Sequence, residues 1–134
     1  MCVKWKIRTV EAVYENTTEA AAFVEENLPK ECSAKVCHQI AIAFDEIYSN
    51  VVKYSKATKL ELKIGIEDDM VYLVFTDDGI PYNPLESREP DMLSFKEKRT
   101  VGGLGLFMVK RMMDYTEYQY QNERNQFTIG KKFK

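Results

Sequence analysis

The chain has 134 residues, a formal net charge of -2, 45% hydrophobic residues and 30% charged residues. That suits one compact domain, residues 1–134, with enough core to stand without disulfide staples. It gives no Lys and Arg excess for a nucleic-acid phosphate surface, and no apolar run nears the roughly 20 residues that span a bilayer.

The cysteines are Cys2, Cys32 and Cys37, with no CxxC pair, and His38 is the single histidine. A zinc site or disulfide framework is therefore not expected, and reduced thiols are. The first residues, MCVKWKIRTVEA, alternate charge with apolar side chains, unlike a signal peptide. The expected location is cytoplasmic.

Residues 3–8 (VKWKIR) alternate and predict a strand. Asn16, Thr17, Thr18 and Glu19 supply cap residues for a helix ending before Pro29. Ser33 caps a longer helix to about Tyr54, whose apolar stripe is Val36, Ile40, Ala43, Ile47, Val51 and Tyr54. Residues 59–66 and 70–76 predict paired strands around an Asp68-Asp69 turn. Residues 77–103 hold three prolines and three glycines and show no sustained period, as in functional lids. Residues 104–113 predict a helix. Strands at about 116–121 and 126–133 follow, around a polar turn at Asn122–Asn125. The order β α α β β loop α β β predicts an α+β two-layer sandwich: a mixed, mainly antiparallel sheet with helices on one face.

Three segments could carry chemistry. On the long helix, Glu46 and Asn50 are four apart and share a face with Lys53 at the margin of the apolar stripe, while Asp45 points to solvent. This pattern suits a pocket wall and equally a solvated helix edge. Asp77-Asp78-Gly79-Ile80-Pro81 follows an apolar strand. It reads as an ordinary turn, or as a base-recognition element in which a carboxylate accepts from an adenine amino group. Gly102-Gly103-Leu104-Gly105-Leu106 opens a helix. Its backbone N–H groups can cradle phosphates, or the glycines form a hinge. It lacks the GK[ST] of a Walker A loop and the strand before a dinucleotide fingerprint.

In this order, ExxxN, DxGxP and GGLGL resemble the N, G1 and G2 boxes of the GHKL superfamily. The likeness is greatest to the anti-sigma-factor serine/threonine kinases, whose segments read like Asp77–Pro84 and Gly102–Asp114, and it covers nearly the whole chain. The resemblance implies an ATP- and Mg²⁺-dependent protein kinase of histidine-kinase-like ATPase fold. It implies Glu46 as general base and Asn50 as the Mg²⁺ ligand. Lys53 lies near phosphate, Asp77, Gly79, Ile80 and Pro81 at adenine, and Gly102, Gly103, Leu104, Gly105 and Leu106 at the phosphates. Residues 85–100 resemble an ATP lid, and Thr128 a strand hydroxyl under the adenine carboxylate. The implied partners are an anti-sigma-factor antagonist, a sigma factor and a second copy of the chain.

Two features depart from the family pattern: Lys53-Tyr54-Ser55 stands where a His-containing turn is common, and Pro81 where many members have a second glycine. The competing readings are a nucleotide-gated binding module with little turnover and an unrelated interaction domain.

Overall fold

A computed structural model describes residues 3–86 and 102–134. Five strands form one sheet: β1 (Lys6–Glu11), β2 (Lys59–Glu67), β3 (Met70–Asp77), β4 (Tyr115–Gln121) and β5 (Arg124–Lys132). Their spatial order is β1-β2-β3-β5-β4. All the pairings among them are antiparallel, so the expected mixture reduces to an antiparallel ladder. The helices are α1 (Thr17–Glu26), α2 (Ala34–Asn50) and α3 (Gly102–Met112).

Alternation sets the two faces of the sheet. Leu60, Leu62 and Ile64 of β2, Val71, Leu73 and Phe75 of β3, and Phe127 and Ile129 of β5 point to the helices. They meet Ile40, Ala43, Phe44 and Ile47 of α2 and Leu106 and Val109 of α3 in one core. Each Val, Leu, Ile or Phe among them leaves water, worth about 1.5–3 kcal/mol when fully buried. The helices thus cover one face, as the sequence implies.

Several boundaries move from expectation for identifiable reasons. β1 begins at Lys6, not residue 3, because its register runs from Lys6↔Ile64 to Glu11↔Lys59. Val3 and Trp5 instead lie across Gly65, where a Cβ would stand 2.5 Å from Val3 Cγ1. Ser33 caps α2 as expected, its hydroxyl accepting from Val36 N at 3.2 Å. That helix ends at Asn50 and continues as a π turn, Val51–Ser55. The wider turn shifts the phase of the apolar stripe: Ser55 becomes buried and Tyr54 exposed. The final hairpin turns on Asn122 and Glu123, both at positive φ (55° and 60°), as a two-residue turn matching strand twist requires. Asn125, expected in that turn, lies inside β5 and is buried.

Residues 87–101 lie outside the described residues, and with them nearly all of the predicted 85–100 lid. No helix among the described residues is long and apolar enough to cross a membrane.

Candidate functional site

The chain forms a cleft where the C-terminal end of β3 meets the last turn of α2. Ile47, Asn50, Val51, Phe75, Asp77, Tyr82, Pro84, Leu106, Tyr118, Asn125 and Phe127 line it. Asn50, Asp77 and Asn125 are 4%, 3% and 3% exposed. Three nearly buried polar side chains on one apolar wall need partners, since an unsatisfied one costs about 1–3 kcal/mol.

The π turn brings the two motifs together. Its last residue, Ser55, offers its carbonyl to Ile80 N at 2.7 Å. A Cβ on Gly79 would stand 2.1 Å from that same oxygen, so only glycine permits the approach. The Asp77–Pro81 segment is thereby clamped beside the end of α2.

Asp77 closes β3. Its Oδ1 accepts from Gly79 N at 2.8 Å and from Asn125 Nδ2 at 3.0 Å. The Ser55 hydroxyl, which donates to Val51 O at 2.8 Å, is also within hydrogen-bonding reach of the carboxylate. Burial pushes the Asp77 carboxyl above its ordinary value. The Asn125 and Gly79 hydrogen bonds pull it back, and neighbouring Asp78 adds to the rise. Asp78 serves the strand: it accepts from Thr58 N at 2.8 Å, Lys59 N at 3.1 Å and Thr58 Oγ1 at 2.5 Å. The Thr58 hydroxyl leads these bonds in holding its carboxyl down at about 2.

On α2, Asn50 Nδ2 donates to Glu46 O at 2.6 Å. That fixes the amide, so Asn50 Oδ1 faces the cleft, where Tyr82 Oη approaches at 3.3 Å. Glu46 lies one turn earlier, half-buried. A Cβ on Gly105 of α3 would stand 1.9 Å from Glu46 Oε2. Burial raises the Glu46 carboxyl above its ordinary value, Lys53 opposes this and Asp45 adds to it. Lys53 itself is exposed in the π turn.

The structure therefore brings Glu46, Asn50, Asp77, Gly79 and Gly105 to one region. Ile80 and Pro81 are exposed and line, with Gly79 and Lys56, a separate opening rather than the cleft itself. Gly102, Gly103 and Leu104 form the first turn of α3, two residues before the helix start expected from sequence, and Leu106 is buried beneath the cleft. The free N–H groups of such a helix start suit anions.

Thr128 does not join them. It pairs with Val74, on the sheet face opposite Asp77, because Asp77 and Val74 are an odd number of residues apart. The residue in register with Asp77 is Asn125. Sequence reading missed it, since an Asn beside Asn122-Glu123-Arg124 carries a turn signal. The signal that could have found it is parity: Asn125, Phe127 and Ile129 share the inward face of β5.

No group of three or more His, Cys, Asp or Glu among the described residues could hold a metal. Asn50 Oδ1 fits one cation rather differently, as the single side-chain oxygen for an ion that keeps water and phosphate ligands, the habit of Mg²⁺.

A solved histidine kinase structure, AdeS of Acinetobacter baumannii, is similar in fold, with a TM-score of 0.57 over 99% of this chain and 69% of that one at 15% identity. None of the curated proteins matches the chain. The model of the histidine kinase-like ATPase domain matches residues 10–131, a span holding every residue of the cleft, and the chain belongs to that family.

Proposed function

We propose that this protein is an ATP-binding serine/threonine protein kinase of the anti-sigma type, acting on a small protein antagonist. The observation that carries the reading is the placement of two buried polar side chains, Asp77 and Asn50, on the wall of one cleft, with Glu46 a helical turn away. The family membership supports the nucleotide, and the Asp77–Pro84 and Gly102–Asp114 segments support the anti-sigma branch.

In this reading Asp77 accepts from the adenine amino group, and Gly79 allows the base to lie against the backbone. The α3 N-terminus and Lys53 receive the phosphates. Asn50 Oδ1 would hold Mg²⁺, which when bound neutralises phosphate charge. Glu46 takes the hydroxyl proton of the acceptor serine or threonine as that hydroxyl oxygen bonds to the γ-phosphorus and the bond from phosphorus to the β–γ bridging oxygen breaks, releasing ADP. The raised Glu46 carboxyl suits that task, because a stronger base accepts the proton more readily. A sigma factor and a second copy of the chain are the further partners of this reading.

The test is transfer of γ-labelled phosphate from ATP to an antagonist encoded beside this protein, with identification of the labelled amino acid. Label on serine or threonine is expected. ATP binding with no transfer to any antagonist of the same genome would instead make the protein a nucleotide-gated binding module.

A further inference from the structure

Asn125 makes four hydrogen bonds, which exhaust the two donors and two acceptor sites of its amide. Nδ2 donates to Asp77 Oδ1 at 3.0 Å and to Ile80 O at 2.7 Å. Oδ1 accepts from Tyr82 N at 2.9 Å and from the Tyr118 hydroxyl. Two of these partners cannot change role: Ile80 O only accepts and Tyr82 N–H only donates. They dictate which way the amide faces. The group it turns to Asp77 is therefore an N–H, and it cannot be an oxygen.

The consequence falls on Asp77. Two N–H donors, from Asn125 and Gly79, converge on its Oδ1. Oδ1, receiving two donors, cannot carry the proton, so a proton on Asp77 could sit only on Oδ2. Both contacts also favour the ionised form against burial, which favours the neutral one. An ionised carboxylate only accepts, and a protonated one donates. Adenine presents an amino donor at C6, whereas guanine presents an O6 acceptor there, and hypoxanthine presents an oxo group too. The state of Asp77 thus decides which purine fits.

We propose that Asn125 is a positioning residue that makes the cleft select adenine nucleotides over 6-oxopurine nucleotides by presenting Asp77 as an acceptor. The inference rests on the nucleotide-binding reading above. It adds a residue that touches no base and acts through Asp77. Loss of the Asn125 donor leaves the burial of Asp77 less opposed, so a protonated carboxyl can meet an oxo group. Asn125→Thr retains a hydroxyl that can donate to Asp77. Asn125→Leu retains size and loses every polar atom.

The experiment is calorimetric titration of the full chain with ATP and with inosine triphosphate, each with Mg²⁺, for the unaltered protein and both variants. Melting curves check that each variant folds. The unaltered protein is expected to prefer ATP. Asn125→Leu should shrink that preference by about tenfold or more, the scale of one charge-assisted hydrogen bond, and Asn125→Thr should keep most of it. A structural defect would weaken both nucleotides together and leave their ratio alone. A folded Asn125→Leu with the original ratio overturns the inference while leaving nucleotide binding intact. Unaltered protein that binds neither nucleotide overturns the binding reading and this inference with it. A measurement on the unaltered protein stands whether or not the variants fold: the carboxyl ¹³C resonance of Asp77 at neutral pH. An ionised shift is expected, and a protonated one overturns the inference.

Discussion

Gly105 of α3 lies so close to Glu46 of α2 that a Cβ on it would stand 1.9 Å from Oε2 and 2.1 Å from Cδ. The contact fixes where the carboxylate can sit. The atoms that would be displaced belong to the far end of a flexible side chain, so the fold has room to yield. Alanine is also the better helix former, by about 0.5–1 kcal/mol. Gly105→Ala is therefore expected to leave the melting temperature near that of the unaltered protein. It should move the Glu46 carboxylate and lower phosphoryl transfer. Unchanged transfer in a folded Gly105→Ala protein would mean that the position of Glu46 does not matter.

Glu46→Gln removes the base and keeps the size. ATP binding should persist, with transfer reduced by roughly 10²–10⁴-fold. The sign of the pH dependence follows from the raised carboxyl. A base works only when deprotonated, so transfer should rise with pH through the Glu46 pKa. That acidic limb should lie above the ordinary carboxyl value of 4.5, and the variant should lack it. Single-turnover rates between mildly acidic and neutral pH measure both effects.

Asp77→Asn separates folding from binding. Burial is the leading cause of the raised Asp77 carboxyl. A carboxyl raised in the folded chain binds protons more readily there than in the unfolded chain. Its contribution to stability therefore grows as pH falls from the raised folded value towards 3.8, and shrinks again as pH rises. Asp78 has the opposite sign: its contribution is full above 3.8 and fades as pH falls towards about 2. The difference between unaltered protein and Asp77→Asn isolates the first effect. The variant should hold its melting temperature at neutral pH and lose the acid-side gain. ATP affinity should fall, because a charge-assisted bond worth about 1.5–3 kcal/mol is gone. A variant that binds ATP as tightly as before would show that the carboxylate does not read the base.

Periodicity made the layers legible: the α2 stripe names Ile40, Ala43, Ile47 and Val51 of the core, though not Phe44 and Tyr48, which the fold buries as fully. It failed where the backbone leaves the regular period. The π turn at Val51–Ser55 exposes Tyr54 and buries Ser55, and nothing in VVKYS marks a wider turn. It also failed where local chemistry outvoted parity. Asn125 resembles a turn residue, yet it follows a two-residue turn and takes the inward position opposite Asp77. Thr128 carries the family resemblance, yet an odd step along the strand places it on the other face. The motif residues of α2 and of the segment after β3 were legible as types. Their meeting depends on Ser55 O binding Ile80 N, a contact between segments that neither spacing encodes.

Tyr82 stands beside the Asn50 amide. Its hydroxyl approaches Asn50 Oδ1 at 3.3 Å, and its ring lies 5.6 Å from that of Tyr54. The Asn50 amide is already fixed by its bond to Glu46 O at 2.6 Å. Tyr82 therefore stands at the oxygen that the proposed Mg²⁺ ligation needs. The closed cleft retains about 20 Å³, enough for about one water molecule. A cation held by Asn50 Oδ1 would have to displace the Tyr82 hydroxyl from that oxygen. Tyr82→Phe removes that competitor and keeps the ring. ATP affinity with Mg²⁺ should rise severalfold, since a neutral hydrogen bond is worth about 0.5–1.5 kcal/mol. ATP affinity without Mg²⁺ should change little. Asn50→Ala should cancel the gain, because both effects pass through one oxygen. Titrations of the single and double variants, with and without Mg²⁺, measure the coupling. If Tyr82→Phe weakens binding equally in both conditions, the hydroxyl supports the bound nucleotide directly and does not compete with the cation.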